Sequence, residues 1–191
     1  MNNTIKILKT EILSDNWYVL KKVTYEHFKN SEWQTQTREA YDRGNGATIL
    51  LFNKENKTVI LTRQFRLPTF INGNESGMLI EACAGLLDKD NPEDCIKRET
   101  EEETGYKIKD VKKIFEAYMS PGSVTEILYF FVAEYSASMK VHEGGGVEDE
   151  QENIEVLELK FDAAIDMMNS GEIKDAKTIM LLQYATLNRL V

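Results

Sequence analysis

The chain has 191 residues, 42% of them hydrophobic and 29% charged, and its 32 acidic and 23 basic residues leave a net charge of −9. That length suffices for one globular domain with a sizeable core. The negative surplus argues against general binding to nucleic acid or anionic membranes, whose phosphates would be repelled. A small phosphorylated ligand stays open if local cations or a metal ion offset the field.

The opening residues, MNNTIKILKT, hold no apolar stretch of signal-peptide type. The longest apolar run, Ile127 to Ala133, suits a buried strand and is too short for a bilayer span. Cys83 and Cys95 lack paired metal spacing and read as small apolar fillers with reduced thiols. A cytoplasmic protein is the expectation.

In chain order, residues 4–13, 17–28 and 33–42 read as strands, rich in β-branched and aromatic types, and Gly44-Asn45-Gly46 breaks the pattern. Residues 47–52 and 58–65 form a hairpin around a polar loop, 70–77 a loop, and 78–84 a strand leading into Gly85. A helix is predicted over 92–104: Asn91 is a good N-cap, Pro92 suits the first turn and Gly105 ends it. Strands follow at 106–118 and 124–135, then a loop through Gly144-Gly145-Gly146 and a strand at 154–159. Residues 161–169 and 175–190 close the chain as helices. The class is α+β, a mixed sheet sandwiched between helices, with an antiparallel N-terminal extension.

The 92–104 helix carries the chemistry. At 100° per residue, Glu99, Glu102 and Glu103 crowd onto about a third of its circumference. Like charges at these spacings oppose the helix by roughly 0.2–0.5 kcal/mol per pair. A hard divalent cation offsets that, since it prefers carboxylate oxygens and keeps waters and phosphates as its other ligands. Arg98, four residues before Glu102, can hold that carboxylate, and Glu101 points elsewhere. Taken alone, the string reads first as a solvated acidic face, since such faces are common.

Residues 85–106, GLLDKDNPEDCIKRETEEETGY, resemble the Nudix box, G-x5-E-x7-R-E-U-x-E-E-x-G-U, where U is aliphatic or aromatic. Arg98, Glu99, Glu102, Glu103 and Gly105 match every polar position of its second half. The first half is one residue shorter, Asp90 stands where a Glu is expected, and Thr100 replaces an aliphatic residue. The strings LIEACAGLLD (79–88), YMSPGSVTE (118–126) and GGGVEDE (144–150) are similar to those of a nucleotide-sugar branch of the family, the GDP-mannose pyrophosphatases.

The resemblance implies a fold, a reaction and a set of roles. The metal ligands would be Glu99, Glu103, the carbonyl of Ala84 and Glu150, with Mg²⁺ or Mn²⁺ as the ion. Glu102 would sit beside them, either as a ligand or held by Arg98. The general base would be Glu150, with Glu103 as the rival. Arg38, Arg66 and Lys177 would contact phosphates and Trp17 would stack on the base; Glu39, Gly85, Leu86, Glu103, Glu126, Asp149 and Glu150 would complete the substrate contacts. Without the resemblance, Trp17 reads as a core strand residue, Arg66 as a strand-edge charge, Lys177 as a helix-surface lysine and 148–150 as an acidic loop. His27 and His142 have no partner motif, so the expected nucleophile is water.

The implied reaction is GDP-mannose plus water to GMP and mannose 1-phosphate. The alternatives are an ADP-ribose or ADP-sugar pyrophosphatase and a non-catalytic nucleotide-sugar binding module. Residues 1–43 are expected to form a strand arm that makes a homodimer, and 44–191 the Nudix hydrolase domain.

Overall fold

The computed structural model describes residues 4–147 and 153–191. The chain divides into two compact units, Met1–Asn45 with Ala117–Leu128, and Gly46–Glu116 with Tyr129–Val191. The α+β class read from the sequence is the one the chain adopts.

The first unit is an antiparallel meander of β1 (Ile5–Asp15), β2 (Val19–Lys29) and β3 (Glu32–Asp42). β2 and β3 pair without a break from Val19↔Asp42 to Lys29↔Glu32. Their two-residue turn, Asn30-Ser31, has φ of 53° and 65°, the sign a tight hairpin following the strand twist requires. β1 is an edge strand whose Ile7 and Ile12 are 62% and 63% exposed. The 117–128 segment lies along β3. Tyr41 donates from its backbone N to the carbonyl of Ser123 at 2.7 Å and accepts from Thr125 N at 3.1 Å. The strand expected from 124 therefore begins only at Ile127, because Ser123 and Thr125, on either side of Val124, are bonded to Tyr41 instead.

The second unit is built on a mixed seven-stranded sheet. Its elements are β4 (Gly46–Asn53), β5 (Thr58–Phe65), α1 (Leu67–Ile71), β6 (Met78–Glu81), β7 (Ala84–Leu86), α2 (Pro92–Thr104), β8 (Lys112–Tyr118), β9 (Ile127–Glu134), β10 (Glu155–Lys160), α3 (Phe161–Ser170) and α4 (Ala176–Asn188). The order is β10-β5-β4-β9-β8, with β6 on β5 and β7 on β4; the ends of β8 and β9 run into the first unit.

β4 is buried along its whole length, which needs cover on both faces. Ala47, Ile49 and Leu51 join Cys95 and Ile96 of α2 in one core cluster. The alternate residues Thr48 and Leu50 face the other way. There α4, with Leu181 and Leu182 fully buried, packs against β4.

Three local expectations need correction. Residues 67–71, partly assigned to a loop, form α1, started by Pro68 in its first turn. The strand expected over 106–118 starts at Lys112. Tyr106 instead bridges Lys140 and packs its ring edge-on against Tyr135 at 5.0 Å. The single strand expected over 78–84 is two, β6 and β7, because the chain changes partner from β5 to β4. At the change, Ala82 N donates to the Thr178 hydroxyl at 2.6 Å, and the Cys83 carbonyl accepts from Ile49 N and Thr48 Oγ1, both at 3.0 Å. No helix among the described residues is long and apolar enough to cross a membrane.

Candidate active site

α2 starts and stops where its caps dictate. Asn91 accepts from Glu93 N and Asp94 N at 3.1 and 3.0 Å, and Gly105 ends the helix in the left-handed conformation, φ 78°. Between them Cys95, Ile96 and Thr100 face the core, Glu103 is buried beside them, and the Glu99 side chain lies against β7.

Arg98 organises this face. Its guanidinium meets Glu99 Oε1 at 3.0 Å and Glu102 Oε2 at 2.8 Å, and reaches Asp90 Oδ2 at 3.5 Å. Asp90, shorter than the glutamate expected there, still meets the arginine. Partial burial would lower the Arg98 pKa, but Glu99 and Glu102 overcome this and hold it well above its ordinary value. Glu101, as expected, lies apart, paired with Lys107 at 3.0 Å.

β7 supplies the floor. A Cβ at Gly85 would stand 2.0 Å from Glu99 Cδ, so the carboxylate lies against bare backbone beside Ala84. Cys83, one residue earlier, senses the same group. Burial pushes its thiol well up, and Glu103 and Glu99 push it further. Cys95 is raised to about 12, by burial first and Glu99 second.

The loop after residue 140 closes the C-terminal end of α2. Gly145 N donates to the Glu103 carbonyl at 2.9 Å and Gly146 N to that of Glu102 at 3.2 Å. These carbonyls are among the last-turn acceptors a helix leaves unbonded. From sequence the triple glycine showed only a loop; its use as a cap needs the close approach, with a Cβ at Gly144 only 2.4 Å from the Glu103 carbonyl oxygen.

The donor set suits a hard divalent cation. Asp90, Glu99 and Glu102 share a single guanidinium, so negative charge is in excess. Among the described residues, no three His, Cys, Asp or Glu side chains close a metal cage by themselves. Mg²⁺ is commonly held by one or two carboxylates, with waters and substrate phosphates as its other ligands. Asp149 and Glu150 lie outside the described residues.

Arg66 and Lys177 belong to a second cluster of the same unit. Arg66 Nε donates to Glu81 Oε2 at 2.7 Å and Lys177 Nζ to Glu81 Oε1 at 2.5 Å; Lys177 also meets Asp175 at 3.1 Å. Asp175 caps α4 through Thr178 N at 2.9 Å. Lys177 is therefore no surface lysine: its side chain is 12% exposed. Burial would raise the Glu81 carboxyl, but Lys177 and Arg66 overcome it and hold the group below its ordinary value. Burial would likewise lower Lys177, and Glu81 and Asp175 raise it instead. Glu81, Asp175 and Thr178 were not singled out from sequence. The available signal was a glutamate inside the apolar run LIEACA, a buried charge that demands partners.

The other predicted contacts lie in the first unit. Trp17 is 85% exposed between β1 and β2, not a core strand residue, and stands edge-on to Tyr18. Arg38 and Glu39 line a cavity of about 550 Å³ with Tyr25, Tyr118 and Pro121. Glu126 is buried, with Arg43 Nε 3.8 Å from its carboxylate. Arg43, also unforeseen, lies over the Tyr18 ring at 5.5 Å.

Two sequence families match. The GDP-mannose pyrophosphatase NudK N-terminal domain matches residues 4–41 and the NUDIX domain residues 42–180. The chain is 60% identical over 186 residues to a GDP-mannose pyrophosphatase of Pectobacterium atrosepticum, covering 97% of this chain and 95% of that protein. It is 56% identical over 192 residues to proteins of the same name from Salmonella typhimurium and Escherichia coli O1:K1, covering all of both chains in each case. With the acidic helix, its arginine and its glycine floor in place, the chain belongs to the Nudix family and is a Nudix hydrolase.

Proposed function

We propose that this enzyme hydrolyses the pyrophosphate of GDP-mannose, giving GMP and mannose 1-phosphate. The observation that carries the substrate is the end-to-end similarity to GDP-mannose pyrophosphatases, including the N-terminal match over 4–41. The acidic helix serves any pyrophosphate and does not select a base or sugar.

Glu99 and Glu103, with the Ala84 carbonyl and Glu150, are the groups that would hold the metal, Mg²⁺ or Mn²⁺. When bound, the ion offsets phosphate charge and makes water a better nucleophile. Arg98 keeps Glu99 and Glu102 extended toward the site. In the reaction an oxygen of water bonds to one phosphorus and the bridging P–O bond breaks. The proton passes to a carboxylate, Glu150 in this reading with Glu103 as the alternative, and the second phosphate departs with the bridging oxygen. Arg66 and Lys177 balance charge on the phosphates. Trp17, an open aromatic face, stacks on the guanine, Arg38 is a further phosphate contact, and Glu39, Glu126 and Asp149 make the other polar contacts to the substrate. Gly85 and Leu86 contact the substrate along β7.

Residues 1–43 are a dimerisation arm in this reading, and 44–191 the hydrolase domain. The open edge and exposed isoleucines of β1 support a homodimer, since an unpaired apolar edge strand invites a second chain. Two buried free cysteines fit a reducing cytoplasm, and the net charge of −9 speaks against nucleic-acid or membrane partners.

A nucleotide-sugar panel with and without EDTA tests the function, with products separated by chromatography. GDP-mannose is consumed, EDTA stops the reaction and added Mg²⁺ restores it. Survival of GDP-mannose while ADP-ribose is cut overturns the substrate and leaves the class. Hydrolysis in ¹⁸O-water identifies the phosphorus attacked. Glu103→Gln separates enzyme from binding module: turnover disappears while circular dichroism stays native.

A further inference from the structure

Glu81 ends β6, and its side chain is only 5% exposed. A lone buried carboxylate is costly, and one cation would satisfy its charge. Here each oxygen is taken by a different cation, Oε2 by Arg66 and Oε1 by Lys177. The two cations come from places far apart in the chain, the residue between β5 and α1 and the start of α4. This carboxylate joins them directly. Arg66 is gripped through Nε, which leaves the outer edge of its guanidinium for a second planar acceptor; its side chain is 40% exposed. Lys177 gives one donor to Glu81 and one to Asp175, and an ammonium has three. Glu103 of α2 adds to the negative charge that, with Glu81 first, holds Arg66 above its ordinary pKa against the effect of burial.

We infer that Glu81 is a positioning residue for pyrophosphate binding: one buried carboxylate sets the separation and direction of the two cations that meet the phosphates. The network continues structurally. Asp175, the second partner of Lys177, also accepts from the Thr178 hydroxyl at 2.6 Å, and that hydroxyl accepts from Ala82 N next to Glu81. The start of α4, the end of β6 and both cations are thus held as one piece, three residues before the Ala84 carbonyl.

The inference rests on the reading that Arg66 and Lys177 touch the substrate, and the experiment separates the two. Steady-state kcat and KM for GDP-mannose, with thermal unfolding, are measured for the wild type, Arg66→Gln, Lys177→Gln, Glu81→Gln and combined variants at saturating Mg²⁺. The expected result is that Arg66→Gln, Lys177→Gln and Glu81→Gln each raise KM by about tenfold or more, with kcat falling less. Adding Glu81→Gln to the Arg66→Gln/Lys177→Gln pair changes KM no further, because the residue acts through those two. Unchanged KM in Arg66→Gln and Lys177→Gln overturns the contact reading and the inference with it. If those two raise KM but Glu81→Gln leaves it unchanged or lowers it, the inference alone falls, and Glu81 only neutralises charge. A lower melting temperature with wild-type kinetics has the same meaning. Should Glu81→Gln not fold, Glu81→Met/Lys177→Met, which removes the ion pair whole, is compared with Lys177→Met. A further rise in KM of about tenfold supports positioning, and equal values overturn it.

Discussion

The backbone N–H of Gly145 donates to the carbonyl of Glu103 at 2.9 Å, so the residue expected to bind metal through its side chain is held through its backbone by the glycine loop. Gly144, with φ 75°, permits the approach. Gly144→Ala places a methyl 2.4 Å from the Glu103 carbonyl oxygen, a backbone atom that cannot swing away. The expected outcome is a destabilisation of about 1–3 kcal/mol, read as a lowered melting temperature, together with a fall in turnover.

Gly85→Ala should behave differently. Its Cβ would meet the end of the Glu99 side chain, 2.0 Å from Cδ and 2.2 Å from Oε1. That flexible group can move, so the fold yields little and the carboxylate leaves its place. Stability stays within about 1 kcal/mol of wild type. Turnover falls by roughly 100-fold, since an ångström of misplacement is enough for that. A Mn²⁺ titration followed by electron paramagnetic resonance would show weaker binding. A metal isotherm equal to wild type would remove Glu99 from the ligand set.

Arg98 bridges Glu99 and Glu102 with two different nitrogens. Arg98→Met removes both contacts and should weaken metal affinity by about 10–100-fold, the usual cost of losing a group that orients a ligand. Arg98→Lys keeps the charge but not the planar fork, and should recover only part of the loss. Full recovery in the lysine variant would show that charge alone is required.

The Glu81–Lys177 pair gives a pH profile of stability. The Glu81 carboxyl is held below its ordinary value of 4.5, so its contribution is complete above that pH and is lost as pH falls through the lowered value. Lys177 is held above 10.5, so its contribution is complete below that pH and is lost as pH rises through the raised value. Between the two limits the pair is at full strength. Melting temperatures taken from neutral pH downward should fall more steeply for the wild type than for Glu81→Gln, by several degrees once the pH is well under 4.5. Parallel acid limbs would contradict the ion pair.

Much of this was legible in the sequence, because some signals are local. The bounds of α2 follow from Asn91, Pro92 and Gly105, and the convergence of Glu99, Glu102 and Glu103 follows from helical geometry. The split of the 78–84 strand was hidden, because the chain changes partner from β5 to β4 there and the Ala82 N–H freed at the change is bonded by the hydroxyl of Thr178, 96 residues on. Arg66 and Lys177 were visible as cations, but their shared anchor Glu81 looked like one polar letter in an apolar run.

By itself, then, the sequence determined the acidic face, since periodicity and capping place three carboxylates and an arginine on one helix without tertiary help, and the resemblance of 85–106 to the Nudix box turned that face into a reaction class. Only the tertiary structure decided what surrounds that face: Gly85 beneath Glu99, Gly145 on the carbonyl of Glu103, and Glu81 between Arg66 and Lys177. Each of these joins residues whose spacing along the chain carries no periodic signal, and each exists because buried backbone and charged groups must find partners wherever the fold brings them.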